Sequence, residues 1–200
     1  MTGPIGILAY GSLLSDPGEE ITACQIGIIE DVETPFPIEF ARSSDSRGGA
    51  PTLIPVQNGG AKVRGRIILV NASAKDAEDM LYRREIHQVG SGRNYKEPKP
   101  EQTNSVRVRT LPHFCGVETV LYTDLGSNIA TITADVLARL AVESVARAET
   151  GKDGLTYLSA AKENGIRTAL SDAYEAEILR MTGTTSLDDA VRQLRAGVSP

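Results

Sequence analysis

The sequence predicts an α+β fold, and three observations carry that prediction. Short apolar runs bounded by Gly, Pro, Asn and Ser occupy the first 122 residues, one helical pattern interrupts them, and a helical stretch follows Gly126. That order is neither an alternating βαβ series nor all-β, which leaves the α+β class. With 200 residues, the chain is long enough to bury a substantial core.

The elements follow in order. Ile5-Gly6-Ile7-Leu8-Ala9-Tyr10 is apolar and ends at Gly11-Ser12, as a buried strand running into a tight turn does. Residues 26–33 and 38–42 are two more strands, separated by Pro35-Phe36-Pro37. Residues 43–49 form a loop, and the short strand 52–56 carries Pro55, which suits a sheet edge. Asn58-Gly59-Gly60 turns the chain into the clearest strand, 63–70. Ser73 caps a helix over 74–84 that presents Ala77, Met80 and Leu81 at helical spacing. The polar segment 90–103 reads as a loop, and 105–110 and 117–122 as strands. Helices are expected over 135–148, 155–162, 168–181 and 187–195, punctuated by Gly151, Gly165 and Gly183. The expected division is a strand-rich core over 1–125 and a helical extension over 126–200.

Composition narrows the class. Apolar residues make up 40% and charged residues 24% of the chain. The longest apolar runs fall far short of the roughly 18 residues of a membrane span. The opening Met1-Thr2-Gly3-Pro4 carries no positive charge, so no signal-peptide leader is expected. Cys24 and Cys115 are too few for a disulfide framework or a four-thiolate zinc site, and both are expected to be small, reduced, buried side chains rather than nucleophiles. A cytoplasmic protein without a membrane partner is the expectation. Charge is uneven: residues 1–60 hold eight acids and two bases, 61–115 six acids and eleven bases, and 116–200 twelve acids and eight bases. The basic middle suits either an anionic ligand or a solvated surface. A pI near 5.2 with 4% aromatics argues against nucleic acid as a partner. A homodimer built on the acidic helical tail stays open.

Several chemical motifs are missing. The sequence holds no Walker loop, no G-x-G-x-x-G after a strand, no H-E-x-x-H and no G-x-S-x-G elbow. With His87 and His113 as its two histidines, it offers no histidine-rich metal site. No metal or other cofactor is expected. The informative element is Tyr10-Gly11-Ser12-Leu13 at the end of the first strand. Glycine lets the backbone turn sharply, and the amides beyond it can hold a carboxylate or a developing oxyanion.

Three further segments accompany it: Phe40-Ala41-Arg42-Ser43-Ser44-Asp45-Ser46-Arg47-Gly48, the strand Val63-Arg64-Gly65-Arg66, and the helix end Leu81-Tyr82-Arg83-Arg84-Glu85. In this order the set resembles the gamma-glutamylcyclotransferase-like superfamily, with its ChaC-type and γ-glutamylamine cyclotransferase branches, over residues 5–122. The resemblance implies a small mixed β-barrel with flanking helices. It further implies that Tyr10, Gly11, Ser12 and Leu13 bind a γ-glutamyl moiety, largely through backbone groups, and that Glu85 is the general acid/base. Tyr95 matches an aromatic residue that follows this glutamate, although the 90–103 loop is longer than in compact members. The implied activity is release of 5-oxoproline from a γ-glutamyl amine, amino acid or peptide, with that small molecule as the partner. Two other readings stay open: a non-catalytic member of the same fold that binds a small metabolite or a protein, and a hydrolase using Ser12 or Cys115. Glu85 has a plainer role available too, as an exposed carboxylate paired with Arg83 or Arg84.

Overall fold

Ile5–Ala9 (β1) is buried at all five positions, because it is paired along both edges and covered on both faces. This computed structural model describes residues 3–197; residues 1–2 and 198–200, the ends of the two expected segments, lie outside the described residues. Strands β2 (Gln25–Glu33), β5 (Arg64–Val70), β6 (Arg107–Phe114) and β7 (Val117–Asp124) join β1 in a mixed sheet of order β2-β5-β1-β7-β6. β1 runs antiparallel to β5 and parallel to β7. The register Ile5↔Val70, Ile7↔Ile68 and Ile7↔Leu121 gathers one apolar face. Helix α2 (Ala74–Glu85) lays Ala77, Met80 and Leu81 on that face, together with Leu13, Ile21 and Tyr95. Ser73 caps α2 as expected: its Oγ accepts from Asp76 N at 3.1 Å.

One element has no counterpart in the sequence reading. Helix α1 (Glu19–Cys24) is six residues long and buries only Ile21, too short a run to show a period.

The chain groups into two compact units, each discontinuous in sequence. The first comprises residues up to Thr34 with Arg64–Gly126, and the second Pro35–Val63 with residues from Ser127 onward. The second unit holds the antiparallel pair β3 (Ile38–Ser44) and β4 (Ala50–Pro55) and helices α3 (Ala134–Arg147), α4 (Gly154–Glu163), α5 (Ser171–Thr182) and α6 (Leu187–Ala196). Its core centres on Phe40, whose ring meets Tyr157 and Tyr174 edge-on at 6.2 and 5.2 Å. The buried Glu39 carboxylate accepts from the amides of Phe40 and Leu170, tying β3 to the start of α5. Gly154 lets α4 approach α3, since a Cβ there would stand 2.8 Å from Ala141 Cα.

In the first unit, a Cβ on Gly65 would stand 2.5 Å from the carbonyl oxygen of Ala9, the last residue of β1. A backbone carbonyl inside a paired strand cannot step aside cheaply. Gly65→Ala is therefore expected to destabilise the protein by about 1–3 kcal/mol, read as a lower urea midpoint. A midpoint equal to that of the wild type would contradict this packing.

Candidate functional site

Where β1 ends, the chain must leave the sheet, and the Tyr10–Leu13 segment does this in one turn. Tyr10 is buried and its hydroxyl donates to Thr123 O at 3.2 Å. Gly11 takes φ +57°, a left-handed conformation that favours glycine, and opens a 3₁₀ turn over Gly11–Leu14. With Tyr10 as its N-cap, the first intrahelical donor is Leu13, so the amides of Gly11 and Ser12 precede the hydrogen-bonded turn. Leu13 points the other way, into the core under α2. Arg66 of β5 donates to Leu14 O and pins the far end of the turn.

The last turn of α2 carries three charges in a row, and they separate. Arg83 Nε donates to both carboxylate oxygens of Glu20, at 2.8 and 3.1 Å, and its Nη1 donates to Arg93 O at 2.8 Å. Arg84 turns to the loop instead. Its Nε and Nη2 donate to Asp16 O at 3.0 and 2.7 Å, and Nη2 also donates to Ser12 Oγ at 3.1 Å. Its Nη1 donates to Glu85 Oε1 at 2.8 Å. The Arg84 and Glu85 side chains are only 10% and 16% exposed. Glu85 is thus paired with Arg84 and not with Arg83, and it is largely buried rather than exposed. No described residue donates to its second oxygen, Oε2.

Tyr95 belongs to a separate group. Its amide donates to the buried Asp79 carboxylate at 2.6 Å, and its carbonyl accepts from Lys75 Nζ at 2.9 Å. Its hydroxyl donates to Glu97 and accepts from Val108 N at 3.1 Å. The ring packs edge-on against Tyr82 at 5.4 Å. The structure therefore joins Ser12 and Glu85 in one hydrogen-bonded group and ties Tyr95 to Asp79, Glu97 and β6. Arg84 and the Asp16 carbonyl, absent from the sequence-derived set, hold the first group together; the arginine directly before the glutamate in L-x-x-R-E was the available signal.

Other features lie apart. A depression of about 370 Å³ begins directly after the turn, lined by Ser15, Asp16, Pro17, Gly18, Glu19, Thr22 and Ala23. A second, of about 420 Å³, runs between α4 and α6 in the other unit. Both cysteines are free thiols. Cys24 is half-buried, and burial pushes its thiol up from the ordinary value. Cys115, expected to be buried, is exposed: with Gly116 it forms the two-residue turn between β6 and β7, where both residues take positive φ. Among the described residues no cluster of three or more His, Cys, Asp or Glu could hold a metal ion, and no helix is long and apolar enough to cross a membrane.

No family model matches the chain, and no curated protein matches it. Among solved structures it is similar to the crystal structure of a selenomethionine-labelled γ-glutamyl cyclotransferase specific to glutathione from yeast. The two share 12% identity at a TM-score of 0.41, over 98% of this chain and 97% of that one.

Burial first, and then the hydrogen bond to Glu97, push the Tyr95 phenol from 10.0 up to about 12. Between these values the unfolded chain has lost a proton that the folded protein keeps, so stability falls as pH rises through this window. Below pH 10 the contribution is fully present. Urea unfolding at pH 9 and pH 11.5 is expected to show a larger loss for the wild type than for Tyr95→Phe, and equal losses would place the phenol at its ordinary value.

Proposed function

We propose that this chain is a γ-glutamylcyclotransferase-like enzyme that releases 5-oxoproline from a γ-glutamyl amine, amino acid or peptide, with Glu85 as general acid/base. One observation carries this reading. Ser12 and Glu85, which stand in the two motifs most characteristic of the resemblance, both bind the guanidinium of Arg84. Arg84 thereby joins segments 72 residues apart, and no described residue donates to Glu85 Oε2, which supports reading the two motifs as one site.

The chemistry asks for little else. In a γ-glutamyl amide the α-amine and the γ-carbonyl belong to one molecule, and attack of the amine on the carbonyl carbon closes a five-membered lactam. The new C–N bond forms, the amide C–N bond breaks, and an amine leaves. Proximity is built into the substrate, so the protein needs to fold it, handle protons and steady the oxyanion. Glu85 Oε2 takes a proton from the attacking nitrogen and returns it to the leaving nitrogen, one carboxylate serving both transfers. The amides of Gly11 and Ser12, which precede the hydrogen-bonded turn, are donors suited to the oxyanion.

The test is a panel of γ-glutamyl amines, γ-glutamyl amino acids and γ-glutamyl peptides, with 5-oxoproline measured by chromatography. Glu85→Gln keeps the shape and removes the base, so it is expected to bind substrate while kcat falls about 10²–10⁴-fold. Near-normal turnover by Glu85→Gln on a compound the wild type cyclises would remove Glu85 from the mechanism. Tight binding without cyclisation by the wild type would favour the binding-module reading.

A further inference from the structure

We infer that Arg84 is a positioning residue of this site: it fixes the orientation of the Ser12 hydroxyl and of the Glu85 carboxylate relative to one another. The inference rests on the proposed cyclotransferase reading and adds to it a residue whose role is geometric rather than catalytic.

Three features support it. Four of the five guanidinium N–H groups are taken by partners of different kinds, with Asp16 O taking Nε and Nη2, Ser12 Oγ taking Nη2, and Glu85 Oε1 taking Nη1. A planar fork of fixed donors holds these acceptors at set angles, which a lysine ammonium cannot do. Second, the Arg84 side chain is 10% exposed, so water is poorly placed to substitute for it. Its aliphatic stem runs beside Gly18, which sits at φ +86°: a Cβ there would stand 3.1 Å from Arg84 Cγ. Third, the directions of the hydrogen bonds decide what each partner has left to offer. Arg84 donates to Ser12 Oγ, so the serine hydroxyl hydrogen points away from the guanidinium, and no described residue accepts it. Ser12 is thereby prepared as a donor to a carbonyl oxygen. It is not prepared as a nucleophile, because the group beside its oxygen is a cation and not a base. Likewise Arg84 occupies Glu85 Oε1, which leaves Oε2 as the oxygen that exchanges protons.

A staple that merely held the turn in place would act through the Asp16 carbonyl, and its loss would weaken folding or substrate binding. A positioning residue acts on kcat. The experiment compares full-length wild type with Arg84→Lys and Arg84→Gln, using the best γ-glutamyl compound of the panel and separating kcat from KM. Expected is a kcat loss of about tenfold for Arg84→Lys and about 10²-fold for Arg84→Gln, with KM within about threefold and unchanged far-UV circular dichroism. The double variant Ser12→Ala/Arg84→Gln should lose less than the product of the two single losses, because both changes remove the same arrangement. An unchanged kcat in Arg84→Lys overturns the inference, as do losses confined to KM or losses that multiply. Should Arg84→Gln fail to fold, Arg84→Lys and its combination with Ser12→Ala decide the matter by the same criteria. A wild type that yields no 5-oxoproline from any compound overturns the proposed function and this inference with it. An active wild type with an indifferent Arg84→Lys overturns the inference alone.

Discussion

The placement of β1 is the constraint on which the first unit depends. The strand is paired antiparallel on one edge and parallel on the other, and all five of its residues are buried. A slip of one residue would exchange Ile5 and Ile7, which face α2, for Gly6 and Leu8, so the register is strongly specified. Gly6 has no room for a side chain in any case, since a Cβ there would stand 2.7 Å from Ile67 Cγ2. The fixed register sets the point at which the chain leaves the sheet. Gly65 leaves room for the carbonyl of Ala9, Gly11 turns the backbone left-handed, and Leu13 returns to the core. The 3₁₀ turn is therefore located by the strand that feeds it and needs only two arginines, Arg66 and Arg84, to satisfy carbonyls on its far side.

Helix α2 supplies the second half of the candidate site under a different constraint. Its apolar face and the buried Asp79, which holds the amide of Tyr95, fix its rotation against the sheet. Its last turn must then face the segment that follows β1. Arg83 and Arg84 suit a helix C-terminus, where backbone carbonyls concentrate negative charge, and a carboxylate at the final position does not. Arg84 compensates locally by binding Glu85. The same contact that makes an acid tolerable at this helix end also fixes the direction in which one of its oxygens points.

Which parts of this were legible in the sequence follows from which parts are local. Strand β1, the Ser73 cap and the amphipathic run through Ala77, Met80 and Leu81 depend on neighbours a few residues away, and each stands where patterning put it. The turn after β1 was legible for the same reason, since Gly11 directly follows an apolar run. The link between Ser12 and Arg84 spans 72 residues, and nothing in either segment alone encodes it. Tyr95 shows the limit more sharply. Its hydrogen bond to Glu97 is local, but those to Asp79 and Val108 join it to partners 16 and 13 positions away that only the tertiary fold selects. The grouping of 35–63 with the helices was likewise invisible, because Asn128 clamps both backbone groups of Ser43 across 85 positions. Cys115 was misplaced for a local reason: a type of residue that is usually buried stands in a tight hairpin turn, and turn geometry took precedence over composition.

The sparseness of the candidate site is consistent with the reaction proposed for it. Enzymes that bring two reactants together must bind both, and those that use a protein nucleophile must activate it, so each leaves several polar side chains in a recognisable pattern. An intramolecular cyclisation brings its own nucleophile and its own proximity. What remains for the protein is one proton-exchanging carboxylate and donors for one oxyanion, and backbone amides can be those donors whatever the side chains are. A site of that kind writes only a glycine turn and a glutamate into the sequence. Under the proposed reading, the residue that matters next is one that sets their mutual geometry, and in this fold the Arg84 guanidinium is bonded both to Ser12 of the turn and to Glu85.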